Sequence, residues 1–544
     1  MISTFHGLET ARRGMSTQQA ALYVTGHNIA NANTPGYSRQ RVNFEQTEKF
    51  PTGSINRPQI PGQIGTGVKA GSIQRIRESF LDIQYRGEHN KVGYYGSLSE
   101  SLRKMEEVLN EPSDSGLHST MEKFWNSLQD LASHTENTGA RDVVAASGQM
   151  VADTLNYYYN SLTRIQNDIG QEINVKVKEA NAILDKISSI NAQIADVEPH
   201  GYLPNDLYDE RDKLVDDLSK IINIKVTKVI PNNYGKPSDI AEGLYNIELA
   251  KKDGSPYSPP VQLISVTKGS GIIGTNHLRI KDEAATQDYE TMEGLVTALE
   301  VGQNNGTWKA ITDYSFGGEL AGLIESYGYT DGTDDFGYYP TMVDQLNKMT
   351  YAFAKEFNTI HKQGYALGSA TQSTDNFFVI DPPADINANY DSSVNYAQLI
   401  KVNKNIINDP SLIAAALQPG GKSGDNENAL LLASIKTKNF DNYLSKIADP
   451  NFPKDLTGNM DTYYSGIIGK LGVNSQAAAK DAANSTTLRE SVEYNRQSIS
   501  AVSLDEEMTN MIKFQHAYNA AARNITVVDE MLDKIINGMG VVGR

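Results

Sequence analysis

A chain of 544 residues with 66 acidic against 49 basic side chains carries a formal net charge of −17, which argues against a nucleic-acid partner and an acidic membrane surface. Its composition, 39% apolar and 21% charged, is that of a soluble globular protein of about three or four domains, without the run of about 18 apolar residues that spans a membrane. The lack of cysteine excludes a disulfide framework, a thiolate metal site and a thiol nucleophile.

The first predicted element is a helix from near Ser3 that closes before Pro35, because proline disfavours helical geometry at Thr34 and Pro-Gly signals a turn. Leu8, Met15, Leu22 and Ile29 recur at intervals of seven, with Gly7, Gly14 and Ala21 as a small-residue row beside them. Glycine costs about 1 kcal/mol in a helix interior relative to alanine. Two on one row fit either a closely approaching partner backbone or weak helix choice. Asn31 and Asn33 suit the helix end; with Asn28, Asn519 and Asn524 they are also candidates to bridge neighbouring subunits.

Residues 38–77 change character. Val42-Asn43-Phe44 alternates, a Gly- and Pro-rich stretch runs from Pro51 to Gly67, and Ile73-Gln74-Arg75-Ile76-Arg77 alternates again, as edge strands or an extended arm do. Gly65-Thr66-Gly67 has its next glycine at Gly71, one position late for a dinucleotide loop, and no strong strand precedes it.

Four helices follow, over about 78–110, 116–134, 139–198 and 205–222. The third is long: Leu155, Leu162, Ile169, Ile183, Ile190 and Val197 hold one seven-spaced row, broken only by Lys176, and Ile173, Ala180, Ile187 and Ile194 a second, as in a rod-like bundle element. Asp209, Glu210 and Asp212 could be read as metal ligands. With Arg211 and Lys213 interspersed, the expectation is a solvated helix face.

After Pro231 short alternating stretches separated by turns predict an inserted β-rich outer domain over 231–316, projecting sideways. Helix returns over 317–364, with Met342, Leu346, Met349 and Phe353 on one face. An irregular, β-prone excursion occupies 377–421, and helices resume over 426–438 and 463–500. Ser503 and Glu506 form a Ser-x-x-Glu capping box that restarts the helix. In that last segment Leu504, Met511, Tyr518, Ile525, Leu532 and Met539 recur every seven residues, with Phe514, Ala521, Val528 and Ile535 as a second row. Two such rows make a coiled-coil seam.

The predicted fold class is therefore mainly α with a β-rich insertion. Paired terminal coiled-coil helices occupy 1–37 and 503–544, a long-helix bundle domain 38–230 and 317–502, and the β-rich outer domain 231–316.

The pattern offers no catalytic constellation. The nine histidines are scattered, with no His-Glu-x-x-His, Gly-x-Ser-x-Gly or Gly-x-x-x-x-Gly-Lys-Ser/Thr. Asp331-Gly332-Thr333-Asp334-Asp335 lacks calcium-loop spacing and reads as a turn. No enzyme, cofactor or metal is expected. The tyrosine pairs and triplet at 94–95, 157–159, 338–339 and 463–464 read as bundle packing.

The string Asn28-Ile29-Ala30-Asn31-Ala32-Asn33-Thr34-Pro35-Gly36-Tyr37 resembles the N-terminal signature of the bacterial flagellar axial family of rod, hook and hook-associated proteins. Leu504-Asp505-Glu506-Glu507-Met508, followed by Phe514-Gln515-His516-Ala517-Tyr518, resembles the C-terminal signature of its hook–filament junction members, and Leu207–Leu214 resembles a recurring segment of the same members. The resemblance implies a structural protein that forms the junction ring by self-association of its terminal helices, with residues 38–77 as the arm to the next domain. It implies three partners besides a second copy: the hook protein, the second junction protein, and an export chaperone on the C-terminal helix. Met1-Ile2-Ser3-Thr4-Phe5-His6-Gly7 lacks a cleaved secretory signal; the family leaves through the flagellar type III export channel, uncleaved, to an extracellular flagellum. Leu8, Met15, Leu22 and Ile29 against Met511, Tyr518, Ile525 and Leu532 are the expected assembly residues. Their sparse apolar faces predict ends that order only on docking. The hook protein itself is the alternative within the family, and a secreted coiled-coil adhesin binding through 231–316 is the alternative outside it.

Overall fold

The computed structural model describes residues 4–50, 55, 62–111, 113–114, 116–284, 292–303, 306–380, 385–421 and 424–538. Most of the Pro51–Gly67 stretch, and Met539 of the C-terminal row, lie outside them.

Helix α1 (Thr4–Ala30) ends in the turn that carries Pro35, with Gly36 at φ +86°. Residues 38–46 and 68–77 form a ribbon. Strands β1 (Gln40–Gln46) and β2 (Val68–Arg75) pair antiparallel with a register shift at Asn43/Phe44. The ribbon leans on α1, where Thr17 Oγ1 lies 3.1 Å from Val68 O.

The next four helices, α2 (Ser79–Leu109), α3 (Leu117–Ser133), α4 (Thr138–Val197) and α5 (Asn205–Ile221), fall within one residue of their predicted ranges. Helix α4 has 60 residues, so it runs about 90 Å at 1.5 Å per residue. Its seven-spaced rows are its buried side: Leu155, Leu162, Ile173, Ile187 and Ile194 are sealed from solvent. The long period survives because the helix meets α3, the short elements near Ile400 and the β-sheets in succession.

The sheets lie along the C-terminal half of α4. Strands β3 (Ile224–Val229), β4 (Leu244–Leu249), β5 (Gln262–Val266) and β6 (Ile273–Thr275) form one antiparallel sheet in that order. Pairing thus starts at Ile224, ahead of Pro231. Strands β7 (His277–Asp282), β8 (Val296–Gly302) and β9 (Trp308–Ile311) build a second sheet. Asn181 pins it to α4 through both backbone groups of Leu278, at 2.7 and 2.8 Å.

The helix expected over 317–364 is interrupted. Between α6 (Gly318–Tyr327) and α7 (Tyr338–His361) a hairpin, β10 (Tyr329–Thr330) and β11 (Asp335–Phe336), joins the second sheet through β8. Gly328 at φ +118° and Gly337 at φ +127° make the break, and a β carbon on Gly337 would stand 2.6 Å from Gly328 Cα. Only glycine suits both sites.

The expected excursion over 377–421 contains β12 (Phe378–Ile380), α8 (Tyr396–Leu399), β13 (Ile400–Val402) and α9 (Lys404–Asn408), followed by α10 (Glu427–Ser434) and α11 (Leu444–Ala448). They pack around Phe124, Phe353, Phe357, Phe377 and Phe378, all fully buried. Helix α12 (Met460–Ser500), capped by Asn459, returns along α2, and α13 (Leu504–Gly538) completes the chain. Of the clustered tyrosines, Tyr158, Tyr159, Tyr339 and Tyr464 are buried in the bundle while Tyr157 is exposed.

Candidate assembly interface

Helices α1 and α13 pack along one another. A β carbon on Gly7 would meet Val528 Cγ2 at 3.5 Å, and one on Gly14 would meet Ala521 Cβ at 3.9 Å. The glycine row therefore faces the second row of α13, yet at distances a methyl group tolerates. Leu8, Met15, Leu22 and Ile29, like Met511, Tyr518, Ile525 and Leu532, are all half-buried. The seam is thin: α13 fully buries one residue, and that residue is Glu507.

Two apolar stripes lie off the seam. Leu504, Met508 and Ile512 stay exposed, as do Val527, Met531 and Ile535, each set stepping by four. Ile535, expected in the second seam row, belongs with them. Following the seven-residue rows hid these stripes, and counting four-residue steps would have found them.

Of the signature residues, Asn28, Asn31, Tyr37 and Glu507 turn inward, onto their own chain. Asn28 is 1% exposed. Its amide nitrogen donates to Gln40 O at 2.8 Å and Glu507 Oε2 at 3.2 Å. Its oxygen accepts from Gln40 N at 3.0 Å and from the Tyr37 hydroxyl at 2.8 Å. All four bonds an asparagine amide offers are used, so Asn28 has none left for a neighbour. Arg39 completes the latch, pairing with Glu507 at 2.8 Å and Glu506 at 2.6 Å, while its backbone N–H donates to Ser500 O. Glu506 thus spends its carboxylate on Arg39 and not on the reciprocal half of a capping box; Ser503 Oγ stands a marginal 3.5 Å from Glu506 N.

Burial pushes the Tyr37 phenol up, and Asp206, Asp209 and Glu507 add to it. Asn31 serves the helix end, donating to His27 O at 3.1 Å and accepting from Thr34. Ala30, Asn33, Thr34, Pro35 and Gly36 are exposed on the turn, and Asp505, Met508, Asn519 and Asn524 on α13.

The acidic run in α5 departs from expectation. Asp209 and Asp212 are 6% and 1% exposed and face arginines, not solvent. Arg75 meets Asp209 at 2.7 Å and Asp212 at 3.0 Å; Arg86 meets Asp216 at 2.7 Å; Arg496, from the end of α12, meets Asp216 at 2.5 Å. The hydroxyl of Tyr245 on β4 donates to Asp212 at 2.8 Å. Spacing explains the error: positions 209, 212 and 216 share one helix face, while Glu210 and Lys213 take the other. The matching signal was Arg75-Ile76-Arg77 at the end of the ribbon. Burial alone pushes the Asp212 carboxyl up, but Arg77, Arg75, Arg86 and Arg211 outweigh it and hold the group well below the usual range. With every acid matched by a guanidinium, among the described residues no cluster is arranged to hold a metal ion. The hub ties ribbon, α2, α5, β4 and α12 together, and so fixes how the terminal pair leaves the body.

Comparison with known proteins supplies the family. The family described as "Flagellar hook-associated protein FlgK helical domain" matches residues 102–378. Over its full length, and over all of the relative, the chain is 44% identical to "Flagellar hook-associated protein 1" of Bacillus subtilis (strain 168). The chain belongs to the flagellar hook-associated protein 1 family.

Two broader families flank that match: "Flagella basal body rod protein" at 8–37 and "Flagellar basal body rod FlgEFG protein C-terminal" at 495–538. A hook-associated protein 1 member from Escherichia coli (strain K12) is 22% identical, with 97% of this chain and 99% of the relative covered. "The structure of the flagellar hook junction protein FlgK from Burkholderia pseudomallei" shares the fold at a TM-score of 0.55 and 13% identity, covering 76% of this chain and all of that one. The ends of this family member thus match the wider rod group, and its middle the hook-associated branch. Among the described residues no helix is long and apolar enough to cross a membrane.

Proposed function

We propose that this chain is the structural adaptor of the hook–filament junction, assembled as a ring through its terminal helices. One observation carries the reading: α13 presents 35 residues, buries only Glu507, and leaves two apolar stripes uncovered. A helix stabilised mainly by tertiary burial has too little of it here, so further burial must come from outside the chain. In the assembled state α1 and α13 of one copy pack against neighbouring copies, and the seam residues Leu8, Met15, Leu22, Ile29, Met511, Tyr518, Ile525 and Leu532 hold each pair together. The hook protein lies on one side of the ring and the second junction protein on the other. Before export a chaperone covers the stripes of α13, and the chain leaves uncleaved for the flagellum.

Replacing Ile525 with Asp tests this. The expected result is an unchanged bundle by circular dichroism and thermal unfolding, together with loss of filament attachment in cells. Normal attachment, or collapse of the bundle itself, would sink the reading.

A further inference from the structure

Helix α2 and strand β3 face each other across an open cleft of about 880 Å³. One wall is the α2 face bearing Ile83, Arg86, Gly87 and Asn90; the other is β3, which ends its sheet. The pairing phase follows from Ala250 N donating to Asn223 O at 2.9 Å. Lys225, Thr227 and Val229 therefore exchange bonds with β4, and Ile224, Val226 and Lys228 aim their N–H and C=O groups into the cleft. Among the described residues no other backbone group meets them. A free edge of this kind is a template for an added strand, which needs about 4.8 Å of lateral room. Gly87 keeps the facing wall open, with nothing within 4 Å of where a β carbon would stand.

The mouth is basic on a chain of net charge −17. Lys91, Lys225, Lys228 and Lys252 are exposed around it, and Lys225 has no ion-pair partner among the described residues. The deeper acids Asp82, Asp212 and Glu242 are already met by arginines. Arg75 Nε, buried in the cleft wall, has no hydrogen-bond partner. Lys91, Lys228 and Lys252 already pair with Glu88, Glu242 and Glu325, and Glu78 and Asp253 stand at the rim, so the unmatched positive charge of the mouth sits on Lys225.

We propose that this cleft receives an acidic extended segment of a second copy by strand addition, and that the segment is the β10–β11 hairpin. The hairpin carries Asp331, Asp334 and Asp335, all exposed, and β11 ends the other sheet. Each copy therefore offers one basic and one acidic edge, at the ends of two different sheets. Such a contact is heterologous, and it builds rings or helical arrays in place of closed pairs. Its occupant, though not the cleft's chemistry, rests on the self-assembly reading above.

The absence of native cysteine makes the test clean. Lys225→Cys protein mixed with Asp335→Cys protein should form a disulfide-linked heterodimer well in excess of either homodimer. In parallel, a cyclised peptide of residues 328–337 should bind the full-length protein in fluorescence anisotropy. That binding should weaken at least tenfold in the Lys225→Glu/Lys228→Glu variant and as salt is raised. No excess of heterodimer, or peptide binding indifferent to the lysines, overturns the proposal. If Ile525→Asp still blocks attachment, that failure is confined to the cleft; if it does not, the self-assembly reading falls as well.

Discussion

Asn28 illustrates how a motif residue can be legible while its work is not. Its place in the Asn-rich string was plain, but the string does not say that the amide reaches Glu507, 479 positions away, or saturates on Gln40 and Tyr37. Glu507 is a buried carboxylate held by Arg39 and Asn28, and breaking one arm of such an arrangement leaves charge and amide groups unsatisfied. Asn28→Ala should cost about 2 kcal/mol. Asn28→Asp should cost more at neutral pH, because it sets a second carboxylate against Glu507, and should recover on acidification. Protease cutting within α1 against pH measures both; equal cutting in the two variants at all pH values would show that charge at this site is unimportant. Gly14 argues the other way. A methyl group there meets Ala521 Cβ at 3.9 Å, so Gly14→Ala should stiffen α1 by about 0.5–1 kcal/mol without displacing α13. Circular dichroism on urea titration reads the gain, and a loss of helix would mean that the seam lies closer than this.

At the scale of elements, the helices were readable because one periodicity governs a long window. Leu155 to Ile194 in α4 repeats through several packing partners, whereas a six-residue strand such as β3 carries three inward positions, too few to move the expected start of the insertion ahead of Pro231. The β10–β11 hairpin was missed because its two strands have two residues each, too few for any alternation, although the turn read at Asp331–Asp335 lies at its centre and Gly328 and Gly337 mark its ends. The α5 run was misread because charge was scored without its partner strand. Helix α7 carries a consequence at its end. His361 is sealed, its Nδ1 sits 3.0 Å from Asp375 O and its Nε2 accepts from Ala414 N at 3.1 Å, which fits only the neutral ring. Burial pushes its pKa down from 6.5 to about 4. The unfolded chain then binds the extra proton first, so stability falls as pH drops from 6.5 towards 4, by about 3 kcal/mol in all. Urea midpoints across that range should slope in the native protein and flatten in His361→Gln; parallel slopes would remove His361 from the account.

For the whole molecule, the division of labour is set by where apolar contact stops. Among the described residues, neither cluster of buried apolar residues contains a member before Leu98 or after Ala478. What joins α1, the ribbon and α13 to the body is polar: the Asn28–Glu507–Arg39 latch and the arginine–aspartate hub. Apolar burial dominates folding free energy, so the body needs none of the terminal pair to fold, while the hub needs Arg75 and Arg77. A chain cut to residues 38–502 should therefore unfold cooperatively with a midpoint within a few degrees of the full protein. One starting after residue 78 should lose more, because Asp209, Asp212 and Asp216 would face fewer guanidinium groups. The acid side separates the two links. Burial raises the Glu242 carboxyl but Arg75 overcomes this and brings it to about 2, and Asp212 lies lower still. Both carboxyls therefore stabilise the fold above their unfolded values near 4, and that contribution fades as pH falls through 4 towards 2. Asp209, raised by burial against the pull of Arg75, opposes them in part. In the fragment of residues 38–502 this acid transition should persist, since the hub is intact; in the shorter fragment it should shrink. Calorimetry of the three chains between pH 6 and pH 2 decides it, and an acid transition of equal size in all three would place the pH-sensitive contacts outside the hub.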